Sequence, residues 1–322
     1  MIPVKKLLNT PIHIIDIGSR NGPSHVPSNL QPYSEILLFE PDKDACNELE
    51  KSLNKQEFLS YQVCPTAVSA QPGLETLNLY RSAVNNSLLR RNEAFATRYK
   101  IDGLEIIGSE VIETDSLDNF KNSQQTRGSF CDLLNLDAQG ADLPILRGAS
   151  NTLESQTLAI CVEVVFQQIY DEQPTFADID MFLRTKGFTF YGFTEFSHRS
   201  TKRLDIKQQF TREILIHSDA IYFRDPFVND LVLDLDQSIK LALLTAAYGF
   251  IDFSLEITDK LVSVPETQSM IKSYCDTISV AETKSSVCKT KEFIEKLQGN
   301  DNIFAETQRF VHQNIHLTNP QI

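Results

Sequence analysis

Apolar residues recur along the first two thirds of this chain in short, nearly unbroken runs. Ile12 to Ile17, Glu35 to Phe39, Tyr61 to Cys64, Phe130 to Leu136, Leu158 to Val165, Phe188 to Phe193 and Asp219 to Phe223 each read as a strand. Runs this apolar on both sides suit a parallel sheet covered on both faces. Amphipathic segments lie between them. From Asp42 to Leu53, apolar Ala45, Cys46, Leu49 and Leu53 fall at helical spacing behind acids in the first turn. Leu143 to Leu153 predicts a second helix, and Pro174 to Leu183 a third that stops at Lys186-Gly187. Between the third and fourth strands runs a polar excursion over residues 70–125. In it Leu74 to Tyr80 alternates like an exposed strand and Asn85-Asn86-Ser87 reads as a turn.

After residue 228 the strand runs give way to helical patterns. Val264-Pro265-Glu266 marks one helix start and Gly299-Asn300 a break. The expected organisation is an α/β domain over residues 1–227 and a helical C-terminal extension over 228–322. The extension would offer a surface for self-association or for a partner protein.

Composition changes this picture in three ways. The chain has 322 residues with 30 basic and 43 acidic side chains, a net charge of −13. Phosphate backbones would repel it, which argues against sequence-independent nucleic-acid binding. Its most apolar late stretch, Ile239 to Phe253, carries Lys240 and Asp252 and is too short to span a bilayer. The six cysteines (46, 64, 131, 161, 275 and 288) show no Cys-x-x-Cys spacing and mostly sit inside apolar runs. Reduced core thiols, no metal site and a cytoplasmic location are the expectation.

The chemistry concentrates where the first two strands end. Ile17 runs into Gly18-Ser19-Arg20-Asn21-Gly22, and a glycine there lets a ligand approach the backbone. Glu40 follows 22 residues after Gly18, at the end of the second strand. In an open α/β sheet, a carboxylate at that place suits the two hydroxyls of a ribose. The third glycine of a dinucleotide fingerprint is missing, so nothing cradles a pyrophosphate on a helix N-terminus. That favours S-adenosylmethionine over NAD(P), whose oxidoreductases are the rival enzyme class. A non-catalytic interaction protein on the same scaffold is the other alternative.

Asp16 to Gly22, Phe39-Glu40-Pro41-Asp42, Thr114 to Asp118, Asp132 to Ala149, Glu163, Ile169-Tyr170 and Gln173 to Phe176 together resemble the FkbM family of S-adenosylmethionine-dependent methyltransferases. The resemblance covers residues 12–224. It implies a class I methyltransferase (Rossmann-like) fold, a mixed sheet flanked by helices with one antiparallel strand near an edge. It implies S-adenosylmethionine as donor and O-methylation of a sugar, glycan or related small-molecule hydroxyl. On this resemblance Asp16, Gly18 and Gly22 would line the methionine part of the donor, with Ser19 beside them. Glu40 would hold the ribose, next to Pro41, and Thr66, Ala67 and Val68 would flank the adenine. Asp137 would lie near the methyl group.

The chain departs from the family pattern at Asn135, where a lysine is usual, at Gln139 and Asp142, where glutamates are commoner, and at Ser19-Arg20 in place of two small residues. Methyl transfer to a hydroxyl needs alignment and a proton sink. Asp137, at a strand C-end, is the first candidate base, against a purely helix-capping or cofactor-binding role. Glu163 is the second, against a strand-end ion pair. His198 reads as a loop histidine, His312 and His316 as a surface pair, and Tyr170, Phe166 and Phe193 as an acceptor wall or ordinary core. The Asn86-Ser87 excursion could fold over the acceptor as a lid.

Overall fold

The computed structural model describes residues 7–23, 25–53, 58–123, 130–204, 212–228 and 231–297, together with Thr307 and Phe310. In chain order its elements are β1 (Ile12–Ile17), β2 (Ser34–Phe39), α1 (Lys43–Leu53), β3 (Ser60–Cys64), β4 (Ala67–Val68), β5 (Gly73–Tyr80), α2 (Glu93–Tyr99) and β6 (Ile106–Asp115). There follow α3 (Leu117–Ser123), β7 (Leu133–Leu136), α4 (Asp142–Gly148), α5 (Ser150–Ser155), β8 (Ala159–Val165), α6 (Phe176–Thr185), β9 (Thr189–Arg199) and β10 (Ile214–Phe223). Three helices end the series, α7 (Leu235–Ala247), α8 (Ile251–Leu261) and α9 (Pro265–Leu297).

Seven strands form one sheet in the order β3-β2-β1-β7-β8-β10-β9. β10 alone runs antiparallel to its neighbours, one place in from the β9 edge. This is the mixed sheet expected from the resemblance. Its strand order reverses direction between β1 and β7, and the crevice at such a reversal is where open α/β sheets bind ligands.

Strand periodicity divides the core. Ile12 and Ile14 of β1, Ile36 and Leu38 of β2, Leu133 of β7 and Cys161 of β8 face one side, with α1, α7, α8 and α9. Ile15 and Ile17, Phe39, Leu134 and Leu136, and Ile160 and Val162 face the other, with α4, α5 and α6. The β1–β2 connection holds only a short 3₁₀ helix, Ser28–Tyr33. That is too little to cover the sheet's centre, and α7 lies there instead, burying Leu241, Ala242, Leu243 and Leu244. The helical segment foreseen from residue 228 thus begins as a layer of the sheet's own core. α9 starts at the anticipated Pro265. It buries Ile271, Tyr274, Cys275 and Ile278 and leaves Val280, Val287 and Ile294 exposed.

The helix anticipated over Leu143–Leu153 is two helices, broken at Ala149. Gly148 abuts the backbone carbonyls of Ser69 and Ala70, where a Cβ would lie 2.5 Å from the Ser69 oxygen. The excursion is built: β4, β5 and β6 make a second, three-stranded sheet. All six cysteines are free thiols, five of them buried. No helix among the described residues is long and apolar enough to cross a membrane. Gly299-Asn300, His312 and His316 lie outside the described residues.

Candidate functional site

The C-terminal ends of β1, β2, β7 and β8 open into a cavity of about 430 Å³. Gly18, Glu40, Pro41, Thr66, Ala67, Val68, Asp137 and Glu163 stand on its wall. Asp16, Ser19 and Gly22 are not on that wall. Asp16 is buried behind it, where its carboxylate accepts hydrogen bonds from the Ser19 hydroxyl and the Asn135 amide. Burial pushes the Asp16 carboxyl up to about 6, against those two bonds. The neutral Asn135, where the family pattern has a lysine, thus supplies one donor to Asp16 and Ser19 the second.

Gly18 sits where β1 meets β7. Its φ is +85°, and a Cβ there would lie 1.8 Å from the carbonyl oxygen of Asp137. Its N–H and that of Ser19 both donate to the Phe39 carbonyl, tying the loop to the end of β2. Glu40 follows at once. Its Oε1 accepts the Asp42 N–H at 2.9 Å and faces Arg20 at 3.8 Å. Arg20 also pairs with Asp42 at 2.9 Å, so the unusual Ser19-Arg20 pair is built into this corner. Burial raises the Glu40 carboxyl despite the Asp42 N–H and Arg20.

The opposite end of the cavity holds a chain of acids and imidazoles. Asp137 and Glu163 share a hydrogen bond. Burial raises both carboxyls, Glu163 well above its ordinary range because Asp137, Asp142 and Asp219 also crowd it. Two carboxyls so buried and so close resist ionising together, and the crowding falls hardest on Glu163. Gln139 donates to Asp137 at 2.8 Å, and its own Oε1 accepts the Tyr170 hydroxyl at 3.0 Å. Asp142 accepts the N–H groups of Ala138 and Gly140 and so fixes the loop carrying Asp137. The N-cap of α4 is Ala141, with no side-chain cap bond, so the capping role weighed for Asp137 is not what holds this helix end.

His217 Nδ1 lies 3.1 Å from Glu163 Oε1, and burial holds the imidazole below its usual pKa, neutral at pH 7. His25 pairs with Asp219 at 3.2 Å, which raises it to about 9 and keeps it charged. Thr194 donates to the same Asp219 oxygen.

His217, His25, Asp219 and Arg199 escaped the sequence reading. The available signal was His217-Ser218-Asp219, three polar residues in succession inside an otherwise apolar strand. His198 belongs to β9 rather than to a loop. Of the proposed aromatic wall only Tyr170 lines the cavity, while Phe166 and Phe193 pack with Phe176 in the core. The excursion contributes part of the cavity wall. Asn85, Asn86 and Ser87 line the cavity, pinned by Ser87 Oγ to the Gln139 carbonyl at 2.6 Å and by Asn78 to the carbonyls of residues 87–89.

A family model described as the methyltransferase FkbM domain matches residues 16–190, from Asp16 in β1 to Phe190 in β9. No curated protein matches. Among solved structures, methyltransferase FkbM from Methylobacillus flagellatus KT aligns at 12% identity over 69% of this chain and 46% of its own, with a TM-score of 0.38. This chain thus spans less than half of that protein's length. Precorrin-6y C5,15-methyltransferase from Geobacter metallireducens GS-15 aligns at 14% identity over 68% of this chain and 84% of its own, with a TM-score of 0.34. A TehB-like S-adenosylmethionine-dependent methyltransferase from Corynebacterium glutamicum ATCC 13032 aligns at 10% identity over 69% and 85%, with a TM-score of 0.30.

Proposed function

Because this chain belongs to the FkbM methyltransferase family, whose methyl donor is S-adenosylmethionine, we propose that it methylates a hydroxyl oxygen of a sugar, glycan or related small molecule. The observation that carries this reading is the Asp137–Glu163 pair, a proton-sharing dyad at the strand ends that can accept a proton from an attacking hydroxyl.

The walls suit the donor. Bonds to Glu40 go to Oε1, which leaves Oε2 for the ribose hydroxyls. Ala67 and Val68 give the adenine an apolar flank. Five carboxylates (Glu40, Asp42, Glu110, Asp137 and Glu163) line the cavity against two guanidinium groups, Arg20 and Arg199. Such a wall favours a sulfonium cation over a pyrophosphate. Asp16, Ser19 and Gly22 would act from behind the wall, by setting the shape of the Gly18 loop.

When bound, S-adenosylmethionine supplies an electrophilic methyl group on a positive sulfur. The residues do the rest. Tyr170, Gln139 and the Asn85–Ser87 segment hold the acceptor and exclude water. The Asp137 carboxylate takes the hydroxyl proton as the oxygen attacks. Glu163, beside neutral His217, keeps the dyad's first proton. Residues 1–227 carry this chemistry, and the helices after 228 complete their core.

Calorimetric titration with S-adenosylmethionine tests the donor half. Glu40→Gln should weaken binding by roughly 1.5–3 kcal/mol, the worth of hydrogen bonds to a charged group. An unchanged affinity would remove Glu40 from the site. Incubation with labelled donor and hydroxylated acceptors, followed by mass analysis, tests the other half. Asp137→Asn should lower kcat by about 10²–10⁴-fold, the usual loss of a general base. In the wild type the rate should climb with pH through an apparent pKa above the ordinary aspartate value, because the Asp137 carboxyl is raised. That limb should vanish in the variant. A variant rate within threefold of wild type would exclude Asp137 as the base.

A further inference from the structure

A second cavity, of about 350 Å³, adjoins the first on the β9 side. Ile101 and Arg199 belong to both walls. It therefore opens beyond Glu163 and His217, at the end of the sheet away from Glu40. Its charge is of the opposite kind. Lys100, Arg199 and Lys202 line it against two carboxylates, Asp102 and Glu213, with His198 beside them. Among the described residues neither lysine nor Arg199 forms an ion pair, in a chain whose net charge is −13.

Both lysines are held at fixed points of the backbone. Lys100 caps α2 with φ +49°, and its N–H returns to the Ala96 carbonyl. Lys202 follows β9 with φ +56°, and its N–H donates to the Ser200 hydroxyl at 3.1 Å. Left-handed backbone is costly for such residues, roughly 1–2 kcal/mol each, and it marks the two turns that frame the cavity mouth. An acid-walled cavity for a cationic donor thus adjoins a cation-lined one, with Arg199 at their junction.

We infer that the second cavity binds an anionic group, a phosphate ester or carboxylate, on the hydroxyl compound that is methylated. This rests on the hydroxyl-methylation reading and narrows its acceptor to phosphorylated or acidic sugars and their like. The anion would sit among Lys100, Arg199 and Lys202 and hold the acceptor while its hydroxyl lies near Asp137.

The test uses inorganic phosphate as probe, followed by phosphorus NMR titration of the full chain and of Lys100→Gln/Lys202→Gln. Both lysines are exposed, so the variant should fold, and its melting curve and S-adenosylmethionine affinity should match wild type. Wild type should bind phosphate saturably and the variant at least tenfold more weakly. Equal binding, or none by wild type, overturns the inference. In a second arm, products labelled from the donor in fractionated extracts are passed over an anion exchanger. Label retained on the resin supports the inference, and label confined to the neutral flow-through overturns it. Phosphate binding with no labelled product at all would leave the anion site standing and sink the methylation reading instead.

Discussion

Gly18→Ala should leave little folded protein, while Gly22→Ala a few residues away should cost only about 1–2 kcal/mol. Both glycines have a left-handed φ, +85° and +87°. An alanine pays that conformational penalty at either place, roughly 1–2 kcal/mol. The difference is space. Nothing lies within 4 Å of a Cβ built on Gly22, whereas one on Gly18 would come 1.8 Å from the Asp137 carbonyl oxygen and 2.7 Å from its carbon. Backbone cannot swing aside as a flexible side chain can. Relief requires parting β1 from β7, which breaks the Asp137 N–H bond to the Ile17 carbonyl, or pulling the loop off β2, which breaks the Gly18 N–H bond to the Phe39 carbonyl. The combined loss should exceed about 4 kcal/mol, in the tail of single-residue effects. Urea unfolding of both variants decides the matter. Equal losses for the two would mean that the β1–β7 junction is far more pliable than its hydrogen bonds indicate. Whatever Gly18→Ala does fold should bind S-adenosylmethionine poorly, since Gly18 lies on the wall proposed to hold the donor.

The strands that form this junction were legible from sequence for a physical reason. β1, β2, β7 and β8 are buried on both faces, so nearly every residue in them is apolar and the runs stand out. Gly18 and Glu40 were legible because each terminates such a run. β6 was not. Ile107 and Val111 are exposed there, and the strand is held by backbone pairing with β5 over a half-solvated surface. No contrast of polar and apolar positions betrays it. β10 was found only from Asp219 onward, because His217, Ser218 and Asp219 are polar for the site's sake and interrupt the apolar pattern. The His25–Asp219 and His217–Glu163 pairs join distant segments, and no local spacing encodes them. The break between α4 and α5 lies beside Gly148, whose bare Cα lets the Ser69 and Ala70 carbonyls approach, again a contact between remote segments. What the sequence displays is what a segment needs for its own burial. What it conceals is what one segment needs from another.

Lys240→Met should cost about 3–5 kcal/mol at pH 7, as expected when one member of a buried ion pair is removed and the other left in place. Lys240 on α7 and Asp132, the residue before β7, are each at most 3% exposed, with Nζ and Oδ2 2.9 Å apart. Asp132 also accepts the His13 N–H at 2.8 Å and approaches the His13 ring at 3.3 Å. Burial alone would raise the Asp132 carboxyl, but the His13 bonds and the Lys240 charge outweigh it and hold the group below its usual range. A carboxyl lowered by folding stabilises the native state fully above its unfolded pKa, about 3.9. That contribution drains away as pH falls through the lower native value. Without Lys240 the native pKa rises, and protonation then relieves the unpaired anion. The gap between wild type and Lys240→Met should therefore be widest near neutrality and shrink below about pH 4. Urea midpoints at pH 7 and pH 4 measure it, and a neutral-pH loss under about 1 kcal/mol would show that the pair adds no more than an exposed one. The consequence reaches the site, because the same short β7 carries Asp132 at one end and Asp137 at the other. α7 grips the strand that presents the proposed base. The helices after residue 228 thus bear on the proposed base through the position of β7, although none of their described residues lines the cavity.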